Sequence, residues 1–227
     1  MSAASATPPT ESDAPLSFLD KLFLEKLASL NVKDTIVFFG SARITEKGAM
    51  GSYYAQAREL SRLITAWAAT LDQPNQRFVV CSGGGGGIME AANRGAQDAG
   101  GHSIGLNIRL PNERSANPYI TPDLNFEFNY FFMRKLWFAH LARALVVFPG
   151  GFGTLDELSE ILTLAQTKKL DRTIPILLYG SEYWKEVINF DAMLRFGMIG
   201  TEDLALMEFV DDPESAMTRL RCMQGRA

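Results

Sequence analysis

The residue types best placed to do chemistry in this chain are glycines. Eight of its 19 glycines crowd into two short stretches, Gly83 to Gly87 and Gly150, Gly151 and Gly153. The first lies in Cys81-Ser-Gly-Gly-Gly-Gly-Gly-Ile-Met-Glu90, the second in Val147-Phe-Pro-Gly-Gly-Phe-Gly-Thr-Leu-Asp-Glu157. Glycine lacks Cβ, permits positive φ and lets successive N–H groups converge on an anion, while a helix that follows adds its positive end. Both stretches therefore suit a phosphate group. Neither is a Walker loop, because no Gly-Lys-Ser/Thr follows, and the spacing is not a dinucleotide fingerprint. The competing reading is that the glycines only allow tight turns and close packing; two clusters, each between a strand and a helix, favour the cradle. A third turn of the same kind, Phe39-Gly-Ser-Ala-Arg43, brings in Gly40 and Ser41. The candidate phosphate and substrate contacts are thus Gly40, Ser41, Gly83, Gly84, Gly85, Gly87, Glu90, Lys135, Gly150, Gly151, Gly153 and Thr154.

Charged side chains near these turns supply the rest. Thr154 stands three residues before Glu157, the spacing of a capping box, which needs no catalytic role. A carboxylate there is also close to whatever a bound phosphate carries, and Asp156 competes with Glu157 for that part. Arg134 and Lys135 fall in Phe131-Phe-Met-Arg-Lys-Leu-Trp137, at the start of an expected helix, where cations oppose the dipole unless a carboxylate or anion answers them. A solvated basic pair is the alternative. Arg43, Arg94 and Arg109 are weaker candidates of the same sort. The two histidines, His102 and His140, have no His or Cys at metal-ligand spacing, so no metal site is expected. Ser41 and Ser82 lack a G-x-S-x-G elbow and an identifiable base.

The elements that must position these groups alternate along the chain. Apolar residues at helical spacing predict helices from Leu16 to Leu30, Tyr54 to Leu71, Ile88 to Ala99, Phe132 to Leu141 and Leu155 to Thr167, with another after Trp184. Short apolar runs between them predict strands at Thr35 to Phe39, Phe78 to Cys81, Ser103 to Ile108, Asn125 to Tyr130, Ala144 to Phe148 and Ile174 to Tyr179, and a last strand and helix span Met207 to Cys222. Such alternation predicts a single doubly wound α/β domain over residues 15–227, a mostly parallel sheet with helices on both faces. Residues 1–14, rich in Ser, Ala, Thr and Pro, are expected to form a loose tail.

Composition narrows the function classes. A net charge of −4, from 22 basic and 26 acidic residues with no long like-charge run, argues against a nucleic-acid polymer as partner. Cys81 and Cys222 do not suggest a disulfide framework. No apolar run approaches membrane-spanning length and no signal-peptide pattern is seen, so a soluble cytoplasmic protein is expected.

Ser82-Gly-Gly-Gly-Gly-Gly-Ile-Met-Glu-Ala-Ala-Asn-Arg94 together with Pro149-Gly-Gly-Phe-Gly-Thr-Leu-Asp-Glu157 resembles the LOG family of cytokinin riboside 5′-monophosphate phosphoribohydrolases, proteins often labelled lysine decarboxylases. The resemblance runs from about Thr35 to Tyr179. It implies a Rossmann-like fold and hydrolysis of the N-glycosidic bond of a nucleoside 5′-monophosphate to free base and ribose 5-phosphate, without cofactor or metal. By residue match it makes Arg134 and Glu157 the catalytic pair, and it implies a homodimer with sites near the subunit interface. Plant-type members carry an acidic residue just before the arginine, where this chain has Met133, so AMP or another purine monophosphate stands beside cytokinin nucleotides as substrate. The decarboxylase label finds no motif for a pyridoxal Schiff-base lysine. The rival reading is a non-catalytic nucleotide-binding protein similar to molybdenum cofactor carriers, with Glu157 as a cap.

Overall fold

The computed structural model describes residues 16–71, 76–109, 116–170 and 172–222, with side chains from residue 23 onward. The expected tail, residues 1–14, lies outside the described residues. Seven strands, β1 (Thr35–Phe39), β2 (Val79–Ser82), β3 (Ser103–Ile108), β4 (Asn125–Phe128), β5 (Ala142–Val147), β6 (Ile176–Tyr179) and β7 (Met207–Val210), make one sheet in the order β4-β3-β2-β1-β5-β6-β7. Every neighbouring pair is parallel. This is the doubly wound α/β fold anticipated from the alternation, and the Rossmann-like fold that the resemblance implies.

The helices are α1 (Leu16–Ser29), α2 (Gly51–Ala68), α3 (Ile88–Asp98), α4 (Phe131–Leu141), α5 (Phe152–Gln166), α6 (Ser181–Val187), α7 (Phe190–Arg195), α8 (Thr201–Leu204) and α9 (Pro213–Arg221). Strands buried on both faces read as unbroken apolar runs, and successive side chains divide between two cores. Ile36 and Phe38 of β1 join residues of α2, α3 and α9, whereas Val37 and Phe39 join residues of α1, α4 and α5. Since α4 and α5 lie on the same face, side chains from their facing sides can meet.

Strand order reverses between β1 and β5, the switch point at which open parallel sheets bind ligands beyond their strand ends. The turns leaving β1 and β5 are joined there: the Ser41 N–H donates to the Pro149 carbonyl at 3.0 Å, and the Phe148 N–H to the Phe39 carbonyl at 2.8 Å. α4 runs directly into β5, Leu141 being followed by Ala142 with no connecting loop. Its first turn therefore lies beyond the strand ends, beside the start of α5.

Two expectations need correction. α5 starts at Phe152, three residues before the predicted Leu155, with Gly151 as its N-cap. The helix expected after Trp184 begins before it, at Ser181, and is broken into α6, α7 and α8. Asn189 caps α7 by accepting from the Ala192 N–H at 2.8 Å, and Gly197 takes a left-handed φ of 71°, so turn residues interrupt the helical pattern there.

At the opposite end of the strands, Asp34 is 1% exposed and accepts from the Phe78 N–H at 2.7 Å, Arg77 Nε at 3.0 Å and Arg143 Nε at 3.1 Å. This clasp ties the entrances of β1, β2 and β5 together. No described helix is long and apolar enough to cross a membrane.

Candidate active site

The structure gives the two glycine turns different characters. In the first, the Gly84 N–H donates to Ser82 Oγ at 3.1 Å, and the Ile88 N–H that opens α3 donates to the Ser41 carbonyl at 3.1 Å. Asn117 Nδ2 donates to the carbonyls of Gly84 and Gly85 at 3.1 and 2.9 Å, and to Asn93 Oδ1 at 3.0 Å. Asn93 in turn accepts from Ser82 Oγ at 2.7 Å. Gly84 and Gly87 have φ of 76° and 65°, and a Cβ on Gly87 would meet the Ser41 carbonyl, so these positions require glycine. Glu90, in the first turn of α3, accepts from the Tyr54 hydroxyl at 2.7 Å and already supplies a negative charge at this helix end.

The second turn is open. The N-cap Gly151 has no side-chain hydrogen bond, and the first turn of α5 holds no acidic residue. A Cβ built on Gly151 or Gly153 would have nothing within 4 Å. The positive end of α5 thus faces free space with unshielded backbone, the arrangement that binds phosphate. Gly150 is different: a Cβ there would come within 2.1 Å of Thr154 Oγ1, and its carbonyl accepts from the Tyr183 hydroxyl at 2.7 Å.

The capping-box reading of Thr154 and Glu157 is contradicted. With the cap at Gly151, Thr154 is already inside the helix and 5% exposed, and Glu157 lies in the second turn. Glu157 meets Arg134 instead: Arg134 Nη2 donates to Glu157 Oε1 at 3.1 Å, with side chains 12% and 13% exposed. The solvated-pair alternative for Arg134 and Lys135 fails as well, since carboxylates of α5 answer both cations. Lys135 Nζ contacts Asp156 at 2.7 Å and Glu160 at 3.0 Å. The Arg134 guanidinium also packs over the Phe131 and Phe138 rings, at 5.4 and 5.8 Å.

Arg134 Nη1 lies 3.8 Å from where a Cβ on Gly83 would stand, so the ion pair adjoins the first glycine turn as well as the second. Phe39, Phe138, Ile161, Lys135 and Glu160 line a small cavity with Glu157. Burial pushes the Glu157 carboxyl up from its ordinary value to about 7; Arg134 and Lys135 pull it down, and Asp156 and Glu160 push it further up. A carboxyl poised there exchanges protons near neutral pH. Arg134 Nε is buried and has no hydrogen-bond partner among the described residues.

The remaining candidates lie elsewhere or are otherwise engaged. Gly40 packs against Ile88, and Ser41 Oγ accepts from the Arg43 N–H at 3.1 Å. Arg94 pairs with Glu46 at 3.1 Å and Arg109 with Glu127 at 2.5 Å. The sequence reading missed Asn93 and Asn117, which shape the first turn; a buried asparagine on the apolar face of α3 was the available signal for Asn93, and Asn117 had none.

Residues 89–220 match the family model described as "Possible lysine decarboxylase". The curated relatives include "Probable cytokinin riboside 5′-monophosphate phosphoribohydrolase LOG4" of Oryza sativa subsp. japonica, 27% identical over 195 residues, spanning 83% of this chain and 76% of that protein. Another is cytokinin riboside 5′-monophosphate phosphoribohydrolase LOG3 of Arabidopsis thaliana, 26% identical over 182 residues, or 77% and 75% of the two chains. Among solved structures, the molybdenum cofactor binding protein of Rippkaea orientalis superposes with a TM-score of 0.59 at 18% identity, covering 84% of this chain and 97% of that one. The Moco carrier protein of Chlamydomonas reinhardtii does so at 0.56 and 21%, covering 86% and 99%. At such identities the structures speak for the fold alone. The family match spans more than half of the chain and contains both members of the ion pair at the sheet's switch point, so this chain belongs to the LOG family, whose model carries the lysine decarboxylase description.

Proposed function

We propose that the protein is a phosphoribohydrolase that cleaves the N-glycosidic bond of a purine nucleoside 5′-monophosphate, AMP or a cytokinin riboside 5′-monophosphate, to free base and ribose 5-phosphate. The observation that carries this reading is the part-buried Arg134–Glu157 pair beside a helix start that has no side-chain cap and no acidic residue in its first turn. The amides around Gly151 and Gly153 and the positive end of α5 hold the 5′-phosphate. The C1′–N bond breaks with its electron pair going to the base, which takes up a proton. The sugar cation that develops is stabilised by the Glu157 carboxylate. Water bonds to C1′ and gives up a proton, which Glu157 accepts. Arg134 orients that carboxylate through the hydrogen bond from Nη2 to Glu157 Oε1.

The reading includes a homodimer. Phe131, Phe132 and Leu136 of α4 are 49%, 56% and 52% exposed, and Phe152 at the start of α5 is 93% exposed, an apolar rim around the site of the kind a second subunit covers. It also includes a cytoplasmic location, in keeping with free thiols at Cys81 and Cys222.

Incubation with AMP and with isopentenyladenosine monophosphate, followed by chromatography, is expected to show free base from at least one of them. Absence of base release from every purine monophosphate, with well-folded protein, overturns the hydrolase. The second reading, a nucleotide or molybdenum cofactor carrier without turnover, is supported by the likeness of fold to the carrier structures. It predicts tight binding with no product.

A further inference from the structure

Lys135 was expected at the phosphate, yet its ammonium is fixed elsewhere. Asp156 and Glu160 are four residues apart on one stripe of α5, a like-charge spacing that is unfavourable by itself. Lys135 Nζ bridges them at 2.7 and 3.0 Å and is 19% exposed. Glu157 follows Asp156 directly, and Lys135 and Glu160 line the same small cavity as its carboxylate. The charged and titratable groups around Glu157 are Arg134 and Lys135 from α4, Asp156 and Glu160 from α5, and the Cys81 thiol from β2, which burial holds in its neutral form. From β1 the neighbour is apolar Phe39. Two cations thus stand against two carboxylates besides Glu157 itself. Without Lys135, Arg134 would face three carboxylates alone.

We propose that Lys135 is a positioning residue for Glu157: by tying Asp156 and Glu160 to α4 it neutralises the two carboxylates that flank the reactive one and so sets the charge that Glu157 meets. The inference rests on Glu157 being the working carboxylate, as in the function proposed above. It does not require Lys135 to touch substrate. The upward pull of Asp156 and Glu160 on the Glu157 carboxyl, and the downward pull of Lys135, agree with that part. Burial lowers the Lys135 pKa, but its hydrogen bonds to Asp156 and Glu160 more than offset this, so the ammonium stays charged.

The test compares the parent with Lys135→Met and Lys135→Arg. The Glu157 carboxyl carbon is followed by NMR from pH 5 to 9, assigned by its loss in Glu157→Gln, and kcat and KM for base release are measured over the same range. Lys135→Met is expected to raise the midpoint of Glu157 by about one pH unit. The acid limb of kcat/KM then moves with it, a roughly tenfold loss at pH 6, while KM and the alkaline plateau stay within about twofold of the parent. Lys135→Arg restores the parent midpoint. An unmoved Glu157 midpoint in Lys135→Met overturns the proposal, as does a KM raised equally at every pH, which marks a phosphate ligand. If Lys135→Met fails to fold, Lys135→Gln is read by the same criteria. A shifted midpoint in a protein that releases no base from any nucleotide upholds the positioning role and removes the hydrolase instead.

Discussion

Arg134 of α4 and Glu157 of α5 meet at 3.1 Å, 23 residues apart in the chain. Neither helix supplies both charges. At 12% and 13% exposure the pair is substantially desolvated, so a substitution that removes the hydrogen-bonding group along with the charge strands the other partner.

Glu157→Gln keeps the size of the side chain and an oxygen that can accept from Arg134, and removes only the charge. Turnover is expected to fall roughly 10²- to 10⁴-fold, with a melting temperature at pH 7 no lower than the parent's. Base release followed by chromatography and thermal unfolding followed by circular dichroism measure the two. Undiminished turnover would falsify the role given to Glu157.

The raised pKa of Glu157 links stability to pH. The native state holds this proton up to about pH 7, whereas an ordinary glutamate loses it near 4.5. The native state therefore binds more protons between those values, and stability falls as pH rises from about 4.5 through 7, by about 3 kcal/mol in total at 1.36 kcal/mol per unit. Glu157→Gln should lack this decline, so the gap between variant and parent widens with pH. Activity runs the other way and rises toward a plateau above pH 7 as the carboxylate forms. Parallel melting curves for the two proteins from pH 4 to 8 would count against it.

The two neighbouring glycines of the open turn should respond differently. In Gly150→Ala the new methyl group meets Thr154 Oγ1 at 2.1 Å, with an expected loss of about 1 to 3 kcal/mol from overpacking. Gly151→Ala meets nothing within 4 Å, so the fold should hold while KM for the monophosphate rises, because a methyl group now borders the phosphate amides. Denaturant titration together with kinetics separates the two effects.

Asp34 lies at the other end of the strands. Asp34→Ala leaves Arg77 and Arg143 without their shared carboxylate and the Phe78 N–H without an acceptor, for an expected cost of about 3 to 5 kcal/mol. Below the melting temperature kcat should stay near that of the parent, since the clasp faces away from the crevice. Chemical denaturation and initial rates at low temperature check both statements.

If α4 and Phe152 face a second subunit, Phe132→Glu combined with Leu136→Glu should halve the mass seen by light scattering. An unchanged mass, whether the parent is monomer or dimer, rejects that surface as the interface.

The order of strands and helices was legible because β1 and β5 read as unbroken apolar runs and the helices between them keep their spacing. The start of α5 was not, because Phe152 is apolar yet 93% exposed and sits between glycines, so Gly151-Phe152-Gly153 reads as turn although the helix has begun. That displacement created the capping box that the structure removes. Glu157 and Arg134 could be singled out from motif and residue type, but their meeting depends on α4 and α5 sharing a face, which no local pattern encodes. The engagement of Lys135 was hidden for the same reason, since its partners Asp156 and Glu160 sit 21 and 25 positions away in sequence.

The missing loop between α4 and β5 makes the angular setting of Arg134 a property of chain length. Each residue turns a helix by about 100°, and Leu141 is bonded directly to the first residue of the strand. One residue inserted at that junction screws α4 about its axis and swings the guanidinium away from Glu157, while the same insertion in the turn between α6 and α7 leaves the pair in phase. The junction is a fixed gear between sheet and site, and its tolerance to insertion is set by rotation more than by space.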